Sequence, residues 1–256
     1  MRVVLLALFA ACCALAQKGS REMDADRPGF ANSVRLVGRG VFQLESGWRL
    51  SHSRLDGERH AVTLEPAVRY GATDWLELRL FTESIVLRSA QPAGAQDRAV
   101  GTADLQPGIK IGLLSLQNGL DVAGVVRVDV PSGSSSQTSG GYEPGAELIW
   151  EQKLPRDFSV SGTWNVSRRR DEGFVWEKAA SVSLNGDLSQ HTRGFGEVYV
   201  VSPKDEGSGN AWVANAGVTH TLGSHLMLDA SAGYSVRQPH AWFVVLGLSV
   251  RTRAER

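Results

Sequence analysis

Cysteine is almost absent from this 256-residue chain, and its two copies, Cys12 and Cys13, adjoin each other near the start. Both lie in "MRVVLLALFAACCALAQ", where Arg2 precedes an apolar run from Val3 to Leu15 and Ala14-Leu15-Ala16 forms an A-x-A site. Residues 1–16 therefore read as a signal peptide removed on export. Disulfides and thiol catalysis are then excluded for the mature chain. "FAAC" also resembles a lipoprotein signal acting through Cys12, although Phe9 fits it poorly. An uncleaved anchoring helix would need about 20 apolar residues, more than this run supplies.

A long apolar run is missing from the rest of the sequence, so a membrane position would require a closed barrel of strands. Net charge is missing too, at +0, which leaves no overall basic field for nucleic acid or anionic lipid. The six histidines show no H-x-H or H-x-x-x-H spacing, so no metal site is expected. "GTADLQPG" and "GSGN" precede no helix and do not read as phosphate loops. The acidic pairs Asp171-Glu172 and Asp205-Glu206 lack a calcium ligand set and read as solvated loop charge. His220, in "GVTHTLGSH", is the nearest thing to a catalytic candidate and reads instead as a polar histidine beside a short turn. No cofactor and no enzymatic activity are expected.

Alternation is what the sequence does have. In "HAVTLEPAVRYGATDWLELRLF", from His60 to Phe81, apolar residues occupy nearly every second place, with Glu65, Arg69, Glu77 and Arg79 between them. A period of two is a β-strand with unlike faces. From about Arg35 onward roughly 12 such runs follow one another, most of them longer than the five or six residues usual in globular strands and close to the 9–11 that a tilted membrane strand needs. Their connections alternate between short and longer, as periplasmic turns and outer loops do in an outer-membrane barrel. The expected fold is all-β: a single antiparallel up-and-down transmembrane barrel over residues 40–256. The polar segment 17–39 before it would plug the lumen or lie in the periplasm.

Parity assigns the two faces. Leu105, Ile109, Ile111 and Leu113, and likewise Trp242, Val244, Leu246, Leu248 and Val250, form charge-free sets suited to lipid. The opposite parity carries ionisable groups of both signs, too costly to bury dry and unpaired. Glu45, Arg49, Glu65, Arg69, Glu77, Arg79, Lys110, Arg127 and Glu147 are the candidates for lining a wet lumen. Aromatic belts are expected at the two membrane interfaces. Trp48, Trp164, Trp176, Trp212, Tyr234 and Trp242 would form the loop-end belt, and Tyr70, Trp75 and Trp150 the turn-end belt. Alternation alone also allows the inverse, a soluble lipocalin-like barrel. Pro66, Pro107 and Pro144 fall within runs and call for local bulges, and Lys178 has outward parity.

Several motifs resemble a known family. Asp26-Arg27-Pro28, Gln43 with Glu45 and Gly47, Arg69-Tyr70-Gly71 with Asp74, Glu77-Leu78-Arg79, and Asp104-Leu105 with Gly108 and Lys110 resemble the outer-membrane proteins of the phenol-degradation meta-pathway family. The resemblance implies a transporter-like outer-membrane barrel. Membrane lipid and the barrel-assembly machinery are the partners expected of it, and an even number of strands with short periplasmic turns would put both termini in the periplasm. The chain departs from the usual outer-membrane ending, since "AWFVVLGLSVRTRAER" has no terminal aromatic residue. The function expected is passive passage of a small solute, aromatic or hydrophobic ones included, through a narrow charge-lined lumen. The rival expectation is a non-transporting structural or ligand-binding barrel whose paired charges fill its interior. No nucleic-acid partner is expected.

Overall fold

The computed structural model describes residues 23–53, 58–91, 97–170, 173–202, 209–236 and 241–252. Residues 1–16, expected to be a signal peptide, the first part (17–22) of the polar segment 17–39, and the acidic pairs Asp171-Glu172 and Asp205-Glu206 lie outside the described residues. Fifteen strands follow one another: β1 (Phe42–Ser53), β2 (Glu58–Leu64), β3 (Ala67–Gly71), β4 (Leu76–Phe81), β5 (Ser84–Gln91), β6 (Asp97–Gly101), β7 (Gln106–Ser115), β8 (Leu120–Asp129), β9 (Glu143–Lys153), β10 (Phe158–Arg170), β11 (Phe174–Ser189), β12 (Thr192–Val201), β13 (Ala211–Leu222), β14 (Leu226–Ser235) and β15 (Trp242–Arg251). All pairings between them are antiparallel, and β15 pairs with β1 from Gln43↔Arg251 to His52↔Trp242, which closes the sheet. No helix occurs among the described residues.

The barrel has 12 strands rather than 15, because β2 with β3, β4 with β5 and β6 with β7 are each one barrel strand that is interrupted. β1 shows this directly, pairing with β3 over Phe42–Glu45 and with β2 over Trp48–Ser53. The first interruption falls at Glu65-Pro66, where proline cannot donate to the ladder. The other two prolines are accommodated without a bulge. Pro107 pairs with Leu80 on β4 while the β7–β8 ladder stops at Gly108↔Arg127 and resumes only as the isolated bridge Leu105↔Val130. Pro144 pairs with Val128, and on its other side the ladder to β10 ends at Gly145. A missing N–H costs nothing where no acceptor faces it.

The faces divide as the charges require. Leu44, Trp48, Leu78, Val126, Leu184, Leu228 and Leu246 stand exposed on the outside, whereas Gln43, Glu45, Arg69, Glu77, Lys110, Glu147, Glu197 and Asp229 are buried inside. A soluble lipocalin-like barrel would show the reverse.

Each residue of a tilted strand adds about 2.5 Å of barrel height. Trp176, Trp212, Tyr234 and Trp242 all face outward near the loop end of their strands. Tyr70, Trp75 and Trp150 lie toward the turn end, Trp150 against Gly162 of the neighbouring strand. Trp48 and Trp164 also face outward, but only six positions from Phe42 and Phe158. That puts them about 15 Å up, within the apolar band rather than at its rim.

Leu246, in the middle of β15 and 61% exposed, tests this inside-out arrangement. Leu246→Arg is expected to destabilise the barrel by about 2–4 kcal/mol in bilayer unfolding titrations. On a water-facing wall the same change would fall within about 0.5 kcal/mol of zero.

Candidate functional site: a segment bound inside the barrel

Residues 23–41, ahead of β1, do not leave the barrel; they lie within it. Ala25, Val34, Leu36, Val37 and Val41 are buried, and Val34 packs against Ala123, Val125 and Ile149, an apolar patch on the largely polar inner wall. Between these anchors the segment's polar groups meet the charged faces of β1, β3, β4 and β7.

Arg69 is the hub, at 1% exposure. Its guanidinium donates from Nε and Nη2 to the two oxygens of Glu77 at 2.7 and 2.9 Å. Nη1 donates to Glu45 Oε1 at 2.8 Å, and Nη2 also reaches the Arg35 carbonyl at 3.0 Å. A planar fork matched to a carboxylate is the strongest pairing that side chains offer. Both carboxylates then turn to the segment: Glu77 accepts from Val37 N at 2.8 Å, and Glu45 from Asp26 N at 3.1 Å.

Asp26 supplies the segment's own charge. Its carboxylate is paired with Arg79, with Lys110 Nζ at 3.3 Å and with Arg69 Nη1 at 3.6 Å. Lys110, wholly buried, also donates to the carbonyls of Ser33 and Arg35, the latter at 2.7 Å. Arg27 bridges two sides of the wall, with Nη1 3.0 Å from Glu65 and Nε 3.6 Å from Asp229. Its guanidinium occupies the space over Gly47, where a Cβ would lie 1.7 Å from Nη2. Gly71 has a similar reason for lacking a side chain, since a Cβ there would meet the Gly38 carbonyl at 2.0 Å.

The opposite wall holds the segment more lightly. Glu197 accepts from Phe30 N at 2.7 Å and Ala31 N at 3.1 Å, and Ser231 donates to the Pro28 carbonyl at 3.2 Å. Phe30 stacks on Tyr199 with ring centroids 4.2 Å apart. Glu147 accepts from Asn32 at 2.6 Å and from Thr163 at 2.8 Å. Among the described residues a cavity of about 120 Å³ lies between the segment and β10–β13, lined by Asn32, Ser161, Ser183, Asn185, Arg193 and Glu197 among others.

All nine charged candidates thus stand on the inner wall, but they are not alike. Glu45, Glu65, Arg69, Glu77, Arg79 and Lys110 converge on the segment and face no open passage while it is in place. Arg49 pairs with Glu65 and lies 4.6 Å over the Phe243 ring, and Arg127 stands apart, donating to Asn165 at 3.3 Å. Two interior cations escape the alternation reading. Arg169 gathers Asp129, Glu143 and Glu177 at the loop end. Arg193 lies 2.7 Å from Ser159 and 3.4 Å from Glu151 near the turn end. Both fall just beyond the runs that the alternation delimits, and extending each strand by one or two residues brings them in. His220 contacts Thr192 at 2.9 Å on the outer wall. Among the described residues no group of three or more His, Cys, Asp or Glu is placed to hold a metal.

A closed barrel with an apolar exterior, a charged interior and its own leading segment docked inside belongs to the outer-membrane class of β-barrels. The model of the family described as "Putative MetA-pathway of phenol degradation" matches residues 25–252, and the chain belongs to that family. The structure is similar to the COG4313 outer membrane channel from Pseudomonas putida F1, with a TM-score of 0.71 at 11% identity over 88% of this chain and 99% of that one. It is also similar to the KdgM porin in complex with disordered oligogalacturonate, with a TM-score of 0.54 at 11% identity over 81% and 98% of the two chains. The translocator domain of the autotransporter NalP from Neisseria meningitidis gives 0.54 at 12% identity over 86% and 90%. At such identities the likeness is one of fold. No curated protein matches the sequence significantly.

The family's motifs acquire a physical meaning here. Asp26-Arg27, Gln43-x-Glu45-x-Gly47, Arg69 with Gly71, Glu77 with Arg79, and Lys110 are the two sides of one docking interface. Asp104 belongs to a second device, above the apolar band, where the break between β6 and β7 meets the loop end of the barrel. Its Oδ1 accepts from Ser132 N and Gly133 N at 3.1 and 2.9 Å, and its Oδ2 from the Ser139 N–H and hydroxyl, both at 2.9 Å. This carboxylate clamps the long connection between β8 and β9.

Two outcomes follow. Arg69→Met, which strands Glu45 and Glu77 without their cation, is expected to cost about 3–5 kcal/mol in equilibrium unfolding. For Asp104, partial burial raises the carboxyl, but the hydrogen bonds from Ser139, Thr138 and Gly133 outweigh it and hold it below the ordinary carboxylate range. A depressed carboxyl contributes stability above its unfolded value and loses it as pH falls through the folded one. Hydrogen exchange at Ser132, Gly133 and Ser139, corrected for intrinsic pH dependence, should therefore accelerate only below about pH 4. Asp104→Asn should remove that step.

Proposed function

We propose that the protein sits in the outer membrane with both termini periplasmic and gives passive passage to a small solute, with residues 23–41 as a resident constriction. The observation that carries this reading is the asymmetry of the docking. Ion pairs of Asp26 and Arg27 and bonds to Glu45, Glu77 and Lys110 tie the segment to the β1, β3, β4 and β7 side, whereas fewer bonds, from Glu147, Glu197 and Ser231, hold it on the far side, where a polar crevice remains along β10–β13. Each charge-assisted bond is worth roughly twice a neutral one, and the far side has fewer of them and, over β10–β13, no ion pair to Asp26 or Arg27 among the described residues, so thermal motion frees that side first.

The size of the crevice limits what it can hold. Its 120 Å³ is smaller than the roughly 150 Å³ that holds one benzene molecule, so with the segment seated this crevice has room for water and small ions but not for an aromatic solute. A solute of aromatic size requires the segment to shift away from Glu197 and Tyr199. The crevice is lined by Arg193, paired with Glu151, and further along β12 by Glu197, so it carries both signs, which favours neutral or zwitterionic solutes over strongly charged ones. Outer-membrane lipid and the barrel-assembly machinery are the partners this reading implies.

Single-channel recording in planar bilayers tests it. The native barrel should show small conductance steps, and Asp26→Asn combined with Arg27→Gln should enlarge them severalfold, because the segment then loses its pairs with Arg69, Arg79, Lys110, Glu65 and Asp229. Silence from both proteins, each giving a boiled-versus-unboiled shift on a cold gel, would favour the rival reading of a permanently filled, non-transporting barrel.

A further inference from the structure

The outer wall carries one electrostatic anomaly. Among the strand residues whose outward-facing side chains are described, none is a carboxylate, and the lysines and arginines are confined to a single hairpin: Arg168 and Arg170 on β10 and Lys178 on β11. The register is regular there, with Val166↔Lys178 and Arg168↔Trp176 directly paired, so no bulge turns Lys178 inward. Arg168 and Lys178 are then diagonal neighbours on the same face, within reach of a shared ligand. Neither has a carboxylate partner among the described residues.

Height and surroundings specify the ligand. Arg168 stands ten positions above Phe158 on β10, about 25 Å along the barrel, which is the height of the apolar band of an outer-membrane barrel. Lys178 roots about 5 Å lower, and its long stem brings the ammonium up to the same level. Arg168 is held 3.6 Å over the ring of Phe174, and Trp176 is exposed beside it. Ser202 accepts from Lys178 N at 2.8 Å, leaving its hydroxyl proton to donate outward. Two like charges at the upper edge of a lipid-facing wall repel each other unless an anion lies between them.

We propose that Arg168 and Lys178, with the Ser202 hydroxyl and the aromatic shelf of Phe174 and Trp176, bind a phosphate group of a phosphorylated glycolipid in the outer leaflet. The proposal rests on the membrane orientation given above, in which the loop end faces outward. It commits to a lipid rather than free phosphate because the cations are rooted among Trp164, Val166 and Trp176, all exposed on the outer wall, where acyl chains pack beneath a headgroup.

Native mass spectrometry of the detergent-solubilised full barrel tests it, using bisphosphorylated lipid A, the same lipid A after phosphatase treatment, and inorganic phosphate as competitor. The phosphorylated form should bind at least about tenfold more tightly, as expected for losing one or two charge-assisted hydrogen bonds. Arg168→Gln with Lys178→Gln should abolish that preference while keeping the cold-gel shift of a folded barrel and the native conductance. Lys153→Gln, at the turn end, should leave it intact. Equal binding of the dephosphorylated lipid, a preference surviving in the double variant, or displacement by equimolar inorganic phosphate would overturn the proposal. Native conductance in the double variant would leave the transport reading standing in each of those cases.

Discussion

Inside the barrel the Arg69 guanidinium is shared among Glu45, Glu77 and the Arg35 carbonyl, with Asp26 close by, and little of this arrangement can be altered alone. A buried guanidinium needs carboxylates, and the two that β1 and β4 provide keep lone pairs that still require donors. The backbone N–H groups of Asp26 and Val37 fill that need. The wall is therefore incomplete without the segment, and the segment, whose Asp26 would be an isolated buried charge, is incomplete without the wall. Glycine at positions 47 and 71 follows from the same constraint, since the docked backbone and Arg27 come too close for any side chain.

That mutual dependence distributes rigidity unevenly. The β1–β4 and β7 side carries ion pairs to the segment, whereas β10–β13 hold it through the Glu197 carboxylate and otherwise present Ser161, Ser183, Asn185, Thr219 and Arg193 around a residual cavity. The strand interruptions near Pro66, Thr82 and Ala103 lie on the tightly bound side, where Thr82 N bonds the Pro66 carbonyl and Ala103 N the Glu83 carbonyl across the gaps. A barrel with broken ladders gains from an internal strut at the same flank.

Much of this was legible in the sequence, for a definable reason. Side chains on a strand alternate strictly, so Glu65, Arg69, Glu77 and Arg79 announce a polar face and Leu78 and Leu80 an apolar one. Strand lengths and the alternation of short and long connections then point to a closed barrel. The partners of those charges were less legible. The leading segment has no period, and a polar, irregular stretch reads equally as periplasmic tail or internal plug. Asp26 and Arg27 are visible as a motif, but only the fold brings Asp26 to Lys110 and Arg27 to Asp229. Pro107 and Pro144 show the other kind of miss: a proline within a run suggests a bulge, while in three dimensions the neighbouring ladder simply ends beside it.

The most direct test of a segment held inside by the Arg69 network is thiol protection, since the chain has no cysteine beyond residues 12 and 13. Val34→Cys, a nearly isosteric change at a residue 2% exposed, would be treated in intact outer-membrane vesicles with a membrane-impermeant maleimide. Strong protection is expected in the otherwise native barrel, and rapid labelling once Arg69→Met is added. Rapid labelling with Arg69 in place would contradict it, because the segment would then spend its time outside the lumen.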